Sequence, residues 1–112
     1  MNDKIEKSLL QKVERLEAFE ERLAVRLENI SIRIDEYNWA TIYCEIHPVT
    51  GTNIKNDLYL ECVIYDKTGS ILWAHQAYVS SYTFFGFELV VFQYQEDKVN
   101  SIGKIRIYPK SK

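Results

Sequence analysis

Leu58-Tyr-Leu-Glu-Cys-Val-Ile-Tyr-Asp-Lys-Thr-Gly-Ser-Ile-Leu-Trp73 is the stretch from which the fold is read. Leu58, Leu60, Cys62 and Ile64 recur at every second position, the period of a strand with one buried face. Asp66-Lys-Thr-Gly69 then supplies turn chemistry: an aspartate that can bond the turn backbone and a glycine that can take positive φ. The strand pattern resumes at Ile71, so residues 58–65 and 71–79 are predicted to form a β-hairpin. In that hairpin Trp73 joins the inward set and lies across from Cys62.

Similar runs lie on both sides. Residues 30–35 alternate through Ile30, Ile32 and Ile34, residues 39–46 through Ile42, Cys44 and Ile46, and residues 102–108 form a last strand. A turn-rich loop is expected over 47–57 and a polar one over 95–101. If 39–46 and 58–65 pair across the first of these, Cys44 lies nearest Leu60. Residues 84–94 read as a long aromatic strand whose 84–92 part is apolar on both faces; a central strand buried on both sides is the preferred reading, an exposed interaction patch the other. Short strands at regular spacing, with no helix-length segments between them, indicate an antiparallel sandwich or barrel rather than a parallel sheet.

The character changes at about Ile30. Residues 3–29 combine good helix formers with apolar positions at spacings of three, four and seven, and contain no Gly or Pro. They predict one amphipathic helix, with Leu9, Leu16, Leu23 and Ile30 as a heptad ladder. Neither heptad register is a clean coiled coil, so the stripe is open to two uses, self-association or docking on the chain's own β domain. The predicted organisation is a helix over 1–29 and a β-sandwich domain over 30–112.

Composition narrows the function classes. The 112 residues carry a net charge of −2 without a dense Lys/Arg cluster, which argues against a nucleic-acid partner. No apolar run approaches the ~20 residues of a spanning helix, and the charged first residues do not open a secretory signal, so a cytoplasmic protein is expected. Cys44 and Cys62 both fall on the apolar face of a strand and read as reduced, buried thiols, with no further ligands nearby to suggest a metal.

Phosphate loops, dinucleotide fingerprints, zinc motifs and nucleophile elbows are all missing from the sequence, so no catalytic residue and no cofactor is expected. Glu45-Ile-His47 is the one acid/base pair to weigh. It is read as a carboxylate and an imidazole on alternate sides of a strand end, with no third group beside them in sequence. His75 reads as an edge-strand residue facing solvent. Tyr43, Tyr59 and Tyr65 project opposite to the inward set and are expected to share one face, suited either to a ligand or to the N-terminal helix.

Cys62-Val-Ile-Tyr-Asp66, followed by Lys-Thr-Gly-Ser-Ile-Leu, resembles the bacterial FxLYD-type β-sandwich domains. In this resemblance Thr50-Gly-Thr-Asn-Ile-Lys-Asn56 corresponds to a Gly/Asn-rich loop. Ile64, Tyr65 and Asp66 are the motif's last three positions, residues 84–92 a later strand, and the likeness spans residues 40–108. Cys62 stands where the motif has Phe, and the export signal common among relatives has no counterpart here. The resemblance implies an immunoglobulin-like sandwich with an adhesion- or scaffold-like binding role, and carries over no catalytic residue.

The expected protein is therefore mostly β: an antiparallel, immunoglobulin-like sandwich of six or seven strands preceded by an amphipathic helix. Its expected function is non-catalytic protein–protein interaction or assembly, with a protein partner or a second copy held through the helix stripe. Small-ligand or glycan binding by the tyrosine face is the alternative.

Overall fold

The computed structural model describes residues 3–95 and 101–112; the polar loop expected over 95–101 lies, for residues 96–100, outside them. Two short helices, α1 (Asp3–Leu10) and α2 (Glu17–Arg22), flank a short strand β1 (Val13–Arg15). Six longer strands follow: β2 (Val25–Ile34), β3 (Trp39–Pro48), β4 (Leu58–Asp66), β5 (Ile71–Val79), β6 (Glu88–Gln95) and β7 (Ile102–Ser111). They form a four-stranded sheet of order β1-β7-β4-β5 and a three-stranded sheet of order β2-β3-β6. Every pairing is antiparallel except β1 with β7. The expected sandwich of six or seven strands is present with seven, the short β1 lying in the stretch expected to be helix. Its four-plus-three division is that of a constant-type immunoglobulin sandwich, while the order of strands within each sheet is its own.

Alternation builds the core. On β3, Ala40, Ile42, Cys44 and Ile46 are buried, and Leu58, Leu60, Cys62 and Ile64 of β4 meet them from the other sheet. The β4–β5 hairpin forms as its turn chemistry demands. Asp66 Oδ1 accepts hydrogen bonds from the Thr68 and Ser70 amides, each 2.9 Å, and Gly69 takes φ 91°. A register shift between Ile64 and Tyr65 places Trp73 across from Ile64, and Cys62 faces His75 instead.

Strands β3 and β4 do not pair. The 47–57 loop carries the chain from one sheet to the other, so Cys44 and Cys62 approach from opposite sheets. Both thiols are free and buried, and burial pushes each up to about 12. At neutral pH they are protonated and poor nucleophiles. A disulfide-exchange reagent is expected to titrate neither cysteine in the folded protein and both in denaturant.

The single helix expected over 3–29 does not form, and the expected boundary at residue 30 falls inside β2. The helical pattern is broken first after Leu10, where β1 pairs with β7. It is broken again after α2, where the backbone turns left-handed at Ala24 (φ 57°) before β2, which holds a second left-handed residue, Asn29 (φ 54°). Glycine is the residue that normally announces such positions. Asn29 lies in a β-bulge, where the pairing with β3 shifts between Glu28 and Ser31. The leucine ladder is consequently dispersed over the chain's own body. Leu9 is 2% exposed within the core, Leu23 and Ile30 pack against it, and Leu16 is half-buried between β1 and α2.

This N-terminal segment seals one side of the sandwich. Helix α1 packs on β2, and α2 reaches both β2 and β7. Two carboxylates take up backbone N–H groups of β2 that have no strand beyond them among the described residues: Glu6 Oε2 accepts from Ile34 N at 2.8 Å and Glu20 Oε1 from Leu27 N at 3.1 Å. Glu20 is 4% exposed and also grips Arg15 through both oxygens, at 2.7 and 3.1 Å. Removing one member of a buried polar set leaves the others unpaired. Glu20→Gln is expected to lower stability by about 1–3 kcal/mol in urea melts, more than an exposed control such as Glu21→Gln.

Candidate functional site

The outer face of the three-stranded sheet carries the most distinctive surface. Register sets its side chains in cross-strand rows: Arg26 beside His47; Glu28, Glu45 and Leu89; Ser31, Tyr43 and Val91; and Arg33, Thr41 and Gln93. Residues 84–94, read from sequence as a central strand, instead lead into an edge strand. Phe84 is buried in the preceding loop, Gly86 takes φ 78°, and β6 begins only at Glu88. Val90, Phe92 and Tyr94 fill the core, while Leu89 and Val91 point outward at 50% and 46% exposure. Phe87, just before the strand, continues the line at 52%. The apolarity of both faces thus has two causes, one face in the core and one uncovered.

Polar groups lie beside this apolar line. Glu45 and His47 are on the same face, as residues two apart on a strand must be, and not on alternate sides as the sequence reading had it. His47 Nε2 lies 2.8 Å from Glu45 Oε1, and the same oxygen accepts from Asn29 Nδ2 at 2.8 Å. The His47 ring stacks on Phe87, with centroids 5.3 Å apart and 10° between planes. The bulge that turns Asn29 left-handed delivers its amide to Glu45. Sequence reasoning missed Asn29, although a signal exists: the inward set passes from odd positions at Val25 and Leu27 to even ones at Ile32 and Ile34. A pair so placed can orient a side chain or line an interface. Among the described residues no group of three or more His, Cys, Asp or Glu is positioned to hold a metal ion.

The expected tyrosine face is divided. Tyr43 lies on the outer face of the three-stranded sheet, whereas Tyr59 and Tyr65 lie on that of the four-stranded sheet, because β3 and β4 belong to different sheets. Tyr59 meets Tyr78 with ring centroids 5.7 Å apart. Tyr65 lies under the Arg106 guanidinium, 5.3 Å from the ring centre. Around Tyr65 a cleft of about 560 Å³ is lined by Lys67, Thr68, Lys104 and Arg106 among others. Two of its cations are already engaged, since Glu14 lies 2.6 Å from Arg106 and 3.6 Å from Lys104. Those contacts, the Arg106 hydrogen bond foremost, hold the Glu14 carboxyl below its usual value. The three tyrosines therefore do not form one ligand platform.

No family model matches the chain, and no curated protein matches it to a significant degree. Among solved structures it is similar to the crystal structure of Campylobacter jejuni cj0090, with a TM-score of 0.52 and 12% identity over 90% of this chain and 98% of that one. At that identity the likeness concerns fold alone. No helix among the described residues is long and apolar enough to cross a membrane.

The hydrogen bond from His47, and after it that from Asn29, holds the Glu45 carboxyl below its ordinary value of 4.5. A carboxyl depressed in the folded state contributes stability above its unfolded pKa and loses it as pH falls through the folded one. The Glu45 contribution is therefore intact at neutral pH and lost only below the ordinary carboxylate range. Carbon-detected NMR titration is expected to place the Glu45 midpoint below 4.5, and His47→Ala to move it upward.

Proposed function

We propose that this chain is a non-catalytic protein-binding module whose docking surface is the outer face of the three-stranded sheet. The observation that carries the reading is the line Phe87, Leu89 and Val91, each about half exposed. Isolated exposed hydrophobics are ordinary, but a contiguous row along one strand with polar groups beside it has the anatomy of an interface. Tyr43 and Val91 form a cross-strand pair at one end of the line, and the Asn29–Glu45–His47 set supplies oriented polar contacts beside Leu89 and Phe87. Such a surface offers aromatic and aliphatic anchors that a partner can desolvate. The FxLYD-like residues 62–66 are in keeping with a binding role. The buried, free thiols suit a reducing compartment such as the cytoplasm.

The helix stripe is not part of this proposal. Leu9 is committed to the chain's own core, and Leu23 and Ile30 pack against it. Assembly through that stripe would require the N-terminal segment to leave β2 and expose the edge it covers.

A photoreactive amino acid at Leu89, introduced in the native cells, tests the reading against the same group at Gln76 on the opposite sheet. The expected outcome is a discrete adduct from Leu89, with an added mass other than that of a second copy, and none from Gln76. Tyr43→Ala is expected to reduce that adduct at least about tenfold, the effect of losing an interface anchor, with thermal stability little changed. Equal adducts from both positions, or none from Leu89, would refute the proposal.

A further inference from the structure

The two open sides of the sandwich are treated differently. On the β2 side, α1 and α2 cover the edge, Glu6 and Glu20 occupy its backbone N–H groups, and Arg26, Glu28 and Arg33 add charge. On the other side lie β5 and β6, each the last strand of its sheet. Strand β5 (Ile-Leu-Trp-Ala-His-Gln-Ala-Tyr-Val) has no Asp, Glu, Lys, Arg or Pro, and β6 (Glu-Leu-Val-Val-Phe-Gln-Tyr-Gln) has only Glu88 at its start. Proteins ordinarily blunt exposed edges with lysine, proline, bulges or a covering segment. Here the seam between the sheets is filled by Trp73 stacking on His75 and meeting Phe92 and Tyr94. Beyond that cluster Ile71 and Leu72 remain exposed.

We infer that this open side is the contact surface for a second copy of the chain, with β6 pairing antiparallel to its counterpart about a two-fold axis at Val91. Three observations favour a second copy over a foreign strand. Self-pairing in this register sets Val91 opposite Val91, Leu89 opposite Gln93, and Glu88 opposite Tyr94, so the strand's one charge never meets its own copy. The exposed parts of Phe87, Leu89, Val91, Ile71 and Leu72 are doubled by the axis and joined by the backbone of the eight β6 residues. Edge pairing of this kind buries the strand backbone and the flanks of these side chains, while their outward tips stay on the sheet face. The opposite side is sealed, so the contact is isologous and closes at two copies instead of propagating as a fibre. The resulting six-stranded sheet would present two Phe87–Leu89–Val91 lines side by side, doubling the valency of the proposed docking face. The dimer itself is independent of any partner and is measured on the purified chain alone.

Light scattering on the purified full chain is expected to give twice the 13.2 kDa chain mass at micromolar concentration. Single cysteines at Leu89, Val91 and Gln93, all exposed, are then oxidised and compared with one at exposed Arg33 on β2. Directly opposed cysteines fall within disulfide reach, so Val91→Cys is expected to cross-link to a dimer most completely and Arg33→Cys not at all. The native thiols stay buried and silent, and each variant's fold is checked by their protection. A monomer at every concentration overturns the inference. So does a dimer that cross-links at none of the three β6 positions, or one that cross-links as well at Arg33. Loss of the partner adduct from Leu89 with the dimer intact would count against the docking proposal only.

Discussion

The carboxylate of Glu20 holds the arrangement on which the rest depends. A charge carried to near-complete burial is costly unless paired and hydrogen-bonded. Here both oxygens meet the Arg15 guanidinium, and one also receives the Leu27 amide. These contacts join β1, α2 and β2, three elements that carry little stability of their own. Helices of eight and six residues are too short to persist alone in water. They exist because Leu9 enters the core and because Glu6 and Glu20 exchange water for the backbone of β2.

Covering one edge changes what the other edge means. A sandwich of two open sheets has exposed strand margins on both sides, and each must be protected or used. Residues 3–22 protect the β2 margin with helices and charge. The β5 and β6 margins have an aromatic plug between the sheets but almost no charge along the strands. The same strand, β6, also presents Phe87, Leu89 and Val91 on its outer face. Edge and face together bring a nearly uncharged strand margin and several exposed apolar side chains to one flank of the molecule.

The sequence showed β6 to be unusual without showing why. An apolar run on both faces is compatible with a central strand or with an exposed patch, and only strand order separates them. The tyrosines failed for the same reason. Alternation assigns Tyr43, Tyr59 and Tyr65 to outward positions, and all three are outward, but it cannot say whether two strands share a sheet. The 47–57 loop is long enough either to close a hairpin or to cross between sheets. Glu45 and His47 were legible as a pair; their partner Asn29 was hidden by a bulge that shifts the strand's phase.

The sequence by itself determined the strands from β3 to β5 and at β7, the β4–β5 turn, the inward faces and the burial of both cysteines. Those features rest on period-two patterning and turn chemistry, which act within a few residues. Tertiary structure decided the N-terminal segment, the sheet assignment of each strand and the exposed face. Residues 3–29 have strong helical propensity, yet propensity differences of a few tenths of a kcal/mol per residue are outweighed by pairing β2 with β3 and burying Val25 and Leu27. Ala24 and Asn29 turn the chain where no glycine announces it, because the surrounding contacts compensate the local strain.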